Sequence, residues 1–117
     1  MATAELLLDT DVLIDHLRGA RRLSVDRRRP GISVVSRCEL FAGRDDPEGL
    51  RRFLSPMIEL PIDGVIAELA GVTRRDTGIA TPDALIAATA LHHRIPLMTR
   101  NRRHFDRVAA LQVVAPD

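Results

Sequence analysis

Three carboxylates stand where apolar segments give way to polar ones: Asp9 in LLLDTDVL, Glu39 in SRCELFAG and Asp83 in ATPDALIAA. A carboxylate next to a buried strand is costly unless it is paired, caps a helix or holds a cation. Asn101, with Asp106 five residues on, follows IPLMT and adds a fourth polar position. Three acids brought to one place repel one another unless protons or a cation relieve them. The donors are oxygens, with no Cys or suitably spaced His among them. The chemistry on offer is therefore the binding of a hard divalent ion, Mg2+ or Mn2+, in preference to zinc.

Each residue also has a plainer reading. Asp9 or Thr10 suits the N-cap of a first helix, and Ser36-x-x-Glu39 matches a capping box. Asp83, just after Thr81-Pro82, complements a helix dipole, and Asn101 suits the cap of a last short helix. What favours a site is the conjunction of four polar groups from four segments.

The elements that would position them alternate in type. ELLLD reads as a short buried strand and VLIDHLR as a helix with Val12, Leu13 and Leu17 on one side. PGISVV is strand-like, and SRCELFAGR turns helical with Leu40 and Phe41 inward, which puts Glu39 in the first turn of that helix. DDPEG breaks the chain before LRRFL, and MIEL is extended up to Pro61. DGVIAELAGVTRR is amphipathic, with Val65, Ile66, Leu69, Ala70 and Val72 as its apolar face. Thr81-Pro82-Asp83 opens an Ala-rich helix through ALIAATALHHR, small enough in side chain to be deeply packed. IPLMT and LQVV supply the last strands. Short apolar strands alternating with helices predict an α/β fold: a mostly parallel central sheet of four or five strands flanked by helices. In such sheets the strand carboxyl ends and the helix starts after them share one edge, where ligands bind. The candidate residues converge on that edge.

Composition narrows the function classes. The 117 residues predict one domain over 1–117, with no internal repeat or linker. A single Cys38 cannot pair within the chain, which points to a reducing compartment, the cytoplasm by default. No apolar stretch approaches the length of a membrane span, and no signal-like segment opens the chain. All 17 basic residues are Arg, yet net charge is only +1, against broad nonspecific coating of DNA and in favour of a local basic rim. Arg clusters at 21–22, 27–29 and 100–103 suit phosphate through the guanidinium fork. Three Phe and no Trp or Tyr argue against a base-stacking platform.

LLLDTDVLIDHLRG, ISVVSRCELFAG and PDALIAATALHHRIPLMTRNRRHF, in this order and over nearly the whole chain, resemble the successive signatures of the PIN domain, in particular the VapC toxins of toxin–antitoxin pairs. The resemblance implies a PIN fold, Mg2+- or Mn2+-dependent endoribonuclease activity, a homodimer and a cognate antitoxin that blocks the site. It implies a structured RNA substrate such as transfer or ribosomal RNA. By motif position Asp9, Glu39 and Asp83 stand for the first three acids of the family. Many PIN domains carry a fourth acid in a T-x-N/D turn, where this chain has Thr99 and Asn101. Asn cannot ionise, and Asp106 is the nearby acid that could substitute.

On that reading a cation held by Asp9 and Asp83, with Glu39 in reach, acidifies a water for in-line attack on a phosphodiester, and Glu39 accepts its proton. Thr10, Ser36 and Thr99 would orient the carboxylates, unless they are ordinary strand-end residues. Arg100, Arg102 and Arg103 border the site and would contact RNA phosphates, with solvated surface charge as the competing account. Asp11 and Asp15 are expected on the outer edge of the first helix, contact of Asp11 with the metal cluster being the alternative, and Cys38 as buried filler. His16, His92, His93 and His104 are expected on solvated faces or interfaces. Two rivals remain. LLLDTDVL also resembles the first motif of haloacid-dehalogenase-like phosphatases, but those enzymes typically rely on a downstream lysine, which this chain lacks. A PIN-like domain without its fourth acid could instead bind RNA or protein without cutting.

Overall fold

A computed structural model describes residues 3–19 and 23–116; the Arg21-Arg22 pair of the first basic cluster lies outside the described residues. The strands are β1 (Leu6–Leu8), β2 (Pro30–Ser33), β3 (Ile58–Leu60), β4 (Leu97–Met98) and β5 (Val113–Val114). The helices are α1 (Thr10–Leu17), α2 (Val34–Phe41), α3 (Pro47–Leu54), α4 (Gly64–Thr77) and α5 (Thr81–His93), and a 3-10 turn spans Arg102–Phe105. The fold is α/β, and the sheet runs β3-β2-β1-β4-β5 with every pairing parallel.

β1 is the centre of this sheet, which explains why it is written as three consecutive leucines. Leu6, Leu7 and Leu8 are all fully buried, and a strand covered on both faces needs no polar alternation. Leu6 and Leu8 point to the side of α1, α2 and α3, where Val12, Leu13, Leu40, Leu50 and Leu54 complete one core. Leu7 faces the other side, against Ile86, Ala87 and Ala90 of α5 and Phe105. The alanines of α5 let α4 pack closely as well, through Ile66 and Ala70 on Ala84 and Ala88. Gly31 in β2 reflects the same crowding: a Cβ there would lie 2.8 Å from Ala4 Cβ and 3.3 Å from the Ile58 carbonyl oxygen.

Strand order then creates the site. From β1 the sheet grows one way through β2 and β3, and β4 and β5 are added on the other side of β1. The winding direction reverses between β1 and β4. In parallel α/β sheets the crevice at such a reversal, beyond the strand carboxyl ends, is where ligands bind. Asp9 leaves β1 there, and Thr99 leaves β4 beside it; the Asp9 N–H donates to the Met98 carbonyl at 2.9 Å.

Three local expectations change. The helix after β2 starts at Val34, earlier than a Ser36–Glu39 capping box requires, because Ser33 is the N-cap and its Oγ accepts from Val35 N at 3.0 Å. Glu39 accordingly lies in the second turn of α2. The buried stripe of α4 is Ile66, Ala70 and Thr73, whereas Val65 and Val72 are 59 % and 42 % exposed. The narrow Ala-rich face of α5 covers one stripe, and the residues one position to its side stay in solvent. Cys38, expected buried, is exposed.

Candidate active site

Asp9 is both the end of β1 and the N-cap of α1, with extended backbone angles of φ −71° and ψ 156°. Its residue is 6 % exposed. Oδ1 accepts from the Thr10 N–H at 2.9 Å and Oδ2 accepts from the Thr99 hydroxyl at 2.8 Å. The capping expectation holds for this residue, but it does not exhaust it. Burial, then the charge of Asp11 and more weakly that of Asp83, pushes the Asp9 carboxyl from 3.8 to about 6, against the lowering effect of its Thr99 and Thr10 hydrogen bonds. A cap in water would feel none of the first three.

Asp11 turns inward, contrary to the expectation of an outer-edge residue. Its Oδ2 accepts from Asn101 Nδ2 at 2.9 Å and from Arg100 N at 3.1 Å, and lies 3.3 Å from the Thr99 hydroxyl. Its Oδ1 is buried with no hydrogen-bond partner. The geometry follows from the start of α1: a residue two beyond the N-cap sits in the first turn, level with the chain leaving the neighbouring strand. Asn101 therefore does not cap the 3-10 turn through its side chain. Its amide, a donor that a carboxylate could not be, holds Asp11. The DTD spacing was the available signal.

Glu39 reaches the same crevice from α2. Its Oε1 accepts the Thr10 hydroxyl proton at 2.6 Å, and Thr10 Oγ1 lies 2.9 Å from Ser36 Oγ. Thr10 has one proton to give and gives it to Glu39, so Ser36 donates to Thr10. The three form a short relay with fixed direction. Asp83 enters from the first turn of α5, whose N-cap Ala80 offers no side-chain cap. Asp83 Oδ2 lies 3.3 Å from His104 Nδ1. Burial raises its pKa above 3.8; the His104 charge opposes this, and Glu39 and Asp11 add to it. Asp9, Asp11, Glu39 and Asp83 thus form one electrostatic group.

The fit to a metal rests on donor type and on the unpartnered Asp11 oxygen. Among the described residues, no three His, Cys, Asp or Glu side chains are grouped to hold an ion by themselves. Mg2+ commonly takes one or two carboxylates and completes its shell with water and substrate phosphate, so the pair of a buried Asp9 and a half-buried Asp11 is an adequate protein contribution. Neutralising that pair would also relieve the repulsion that raises Asp9.

The arginines divide. Arg100 Nε is 3.3 Å from Asp15 Oδ2 and 3.8 Å from Asp11 Oδ2, and Asp15, also expected outside, is buried beneath it. Arg102 Nη2 donates to the Val113 carbonyl at 2.9 Å. Arg103 lines a cavity with Asp83, His104 and Arg107. Asp106 is exposed at the end of the 3-10 turn. His16 is partly buried: its Nδ1 accepts from Leu23 N at 3.1 Å, and its ring stacks on Phe53 at 5.3 Å. His92 and His93 meet edge to face at the end of α5.

Residues 6–111 match the PIN domain family. The chain belongs to the PIN-domain family. Its PIN domain is 41 % identical to Ribonuclease VapC10 of Mycobacterium tuberculosis, over 86 % of this chain and 85 % of that one. It is 34 % identical to Ribonuclease VapC19 of the same organism, over 91 % and 96 %. Among solved structures it superposes on a chain of a toxin–antitoxin complex from Klebsiella pneumoniae with a TM-score of 0.83 and 32 % identity, covering 96 % of this chain and 98 % of that one. The five-stranded parallel sheet is thus the PIN fold, and the acidic crevice lies at its switch point.

Proposed function

We propose that this chain is a single PIN domain acting as an endoribonuclease, the toxin of a toxin–antitoxin pair, with Mg2+ or Mn2+ as its cofactor. The observation that carries the reading is the Asp9–Asp11 pair at the switch point, Asp9 buried and Asp11 half-buried, with one buried Asp11 oxygen unpartnered and the Asp9 pKa pushed up to about 6. Such a pair is poorly suited to stability alone and well suited to a cation. Two VapC relatives named as ribonucleases and the toxin–antitoxin neighbour support the activity and the pairing.

Asp9 and Asp11 are the residues that would hold the ion directly, with Asp83 and Glu39 facing it as the remaining acids of the same electrostatic group. When bound, a divalent cation neutralises charge building on a phosphodiester and lowers the pKa of water. The chain's own residues do the rest. Thr99 gives its one hydroxyl proton to Asp9 at 2.8 Å and lies 3.3 Å from Asp11 Oδ2, between the two carboxylates. Glu39 accepts a proton from the attacking water, and the Ser36–Thr10 relay holds its carboxylate in place. Asn101 supplies no charge; it orients Asp11, which takes over the duty of a fourth acid. Asp106, exposed and without a side-chain hydrogen bond or ion pair to this group among the described residues, does not.

The acidic crevice suits a basic side chain of an antitoxin segment as an inhibitor, and the exposed apolar residues of α4 leave surface for a homodimer. Among the described residues no helix is long and apolar enough to cross a membrane. RNA is the substrate, a structured transfer or ribosomal RNA being the class we propose. The test is cleavage of total cellular RNA with Mn2+, followed by analysis of the fragment ends. Attack by water leaves no cyclic phosphate. Fragments ending in 2′,3′-cyclic phosphate, formed equally in EDTA, would assign attack to the ribose hydroxyl and remove the metal from the account.

A further inference from the structure

Beside Asp83 a cavity of about 410 Å3 opens between the end of α4, the start of α5 and the 3-10 turn. Thr77, Gly78, Ile79 and Ala80 line it together with Asp83, Arg103, His104 and Arg107. From this arrangement we infer that the cavity is a nucleotide subsite: it receives the RNA residue next to the scissile phosphate, with Arg103 and Arg107 on a flanking phosphate and the Ile79–Ala80 wall against its sugar or base. The inference rests on the ribonuclease reading and adds to it a place for the substrate and a residue, Arg107, that the sequence motifs left aside.

Size, charge and rigidity each support it. The volume is far above that of an ion or a water and within the range of about 300–1,000 Å3 typical of small-molecule sites. Arg103 and Arg107 make no ion pair among the described residues, unlike Arg100, whose charge Asp11 and Asp15 already absorb. The one acid on the wall, Asp83, is faced by His104 at 3.3 Å. Unpaired guanidiniums beside an acidic centre bind phosphate through paired N–H groups and offer a flat face to a base, beside the His104 ring on the same wall. The loop wall is braced before any ligand arrives. Gly78, at φ +77°, ends α4 by donating its N–H to the Arg74 carbonyl at 2.7 Å. Arg74 Nε then donates to the Ile79 carbonyl at 2.9 Å, and Thr77 Oγ1 donates to the Thr73 carbonyl at 2.7 Å. A wall already ordered loses little entropy on binding.

The experiment measures anisotropy of a fluorescein-labelled 12-nucleotide single-stranded RNA of mixed sequence, titrated with the full chain in EDTA at several salt concentrations. Cleavage of total RNA with Mn2+ is run in parallel. Arg103→Ala and Arg107→Ala should each weaken binding about tenfold at low salt. Each should also flatten the dependence of log affinity on log salt by about 0.7. Arg107→Lys should restore the slope more than the affinity, since it returns charge without the fork. Arg52→Ala on α3, outside the cavity, serves as the control for net charge. In cleavage, Arg107→Ala should raise KM more than it lowers kcat. Binding and cleavage that survive both alanine variants unchanged would overturn the subsite and leave the ribonuclease intact. A wild-type protein that neither binds nor cleaves RNA would overturn both.

Discussion

At Asp9 burial and the Asp11 charge push the carboxyl towards protonation, while Thr10 and Thr99 hold the ionised form. A group with a raised folded-state pKa lends stability that is complete below its unfolded value of 3.8 and lost as pH rises through about 6. Above that range, without metal, the ionised pair costs stability. Asp9→Asn should therefore raise the unfolding free energy at pH 8 by about 1–3 kcal/mol, from roughly 1.4 kcal/mol per pKa unit, with the gain vanishing towards pH 4. Urea unfolding across pH checks this, and no change at any pH would mean that Asp9 is only a cap. Asn caps a helix as well as Asp does, so capping does not confuse the sign. Thr10→Val removes the donor that holds Glu39 and should lower cleavage about tenfold or more, on the scale of general-base effects of about 100-fold for the base itself. Asp9, Glu39 and Asp83 were legible because each interrupts an apolar pattern. Asp15 was not, because within α1 it reads as an ordinary polar position; Asp11 was marked only by its DTD spacing, and the chain leaving β4 shows which way it faces.

At the scale of elements, the alternation of strand and helix was written plainly in the hydrophobic runs, but boundaries were blurred where two signals compete. Val34 and Val35 read as strand, yet Ser33 ends β2 and caps α2. Ser33→Ala should cost about 1 kcal/mol in chemical unfolding. Glu39→Gln, by contrast, should leave stability within about 0.5 kcal/mol while cleavage falls, since Glu39 caps nothing. The face of α4 was misread because Val65 and Val72 share one stripe beside the buried one, and helical periodicity alone cannot say how wide a partner's face is. Gly31 illustrates a constraint invisible in sequence: Gly31→Ala meets Ala4 and the Ile58 carbonyl and should destabilise by about 1–3 kcal/mol as overpacking.

For the molecule as a whole, the parallel sheet was legible as a class and the strand order was not. Strands of two to four residues carry no pairing information, and the placement of β4 beside β1 comes from the crossover through α4 and α5. That placement brings residues 90 apart, Asp9 and Thr99, into one hydrogen bond. It also explains why a chain of net charge +1 can join an acidic crevice to an arginine-bearing cavity. A ligand that binds only the folded state adds about 2.7 kcal/mol at a hundredfold excess over its Kd. Mn2+ should accordingly raise the thermal midpoint of the wild type and leave Asp9→Asn nearly unmoved, as a melting curve with and without the ion would record. The most direct measurement of the central claim is the rate of total-RNA cleavage as Mn2+ is titrated into metal-free wild type, Asp9→Asn and Asp11→Asn. The account predicts a saturable rise from no detectable cleavage in the wild type and loss of cleavage in both variants. Cleavage independent of Mn2+, or fully retained in the Asp9 variant, would contradict it.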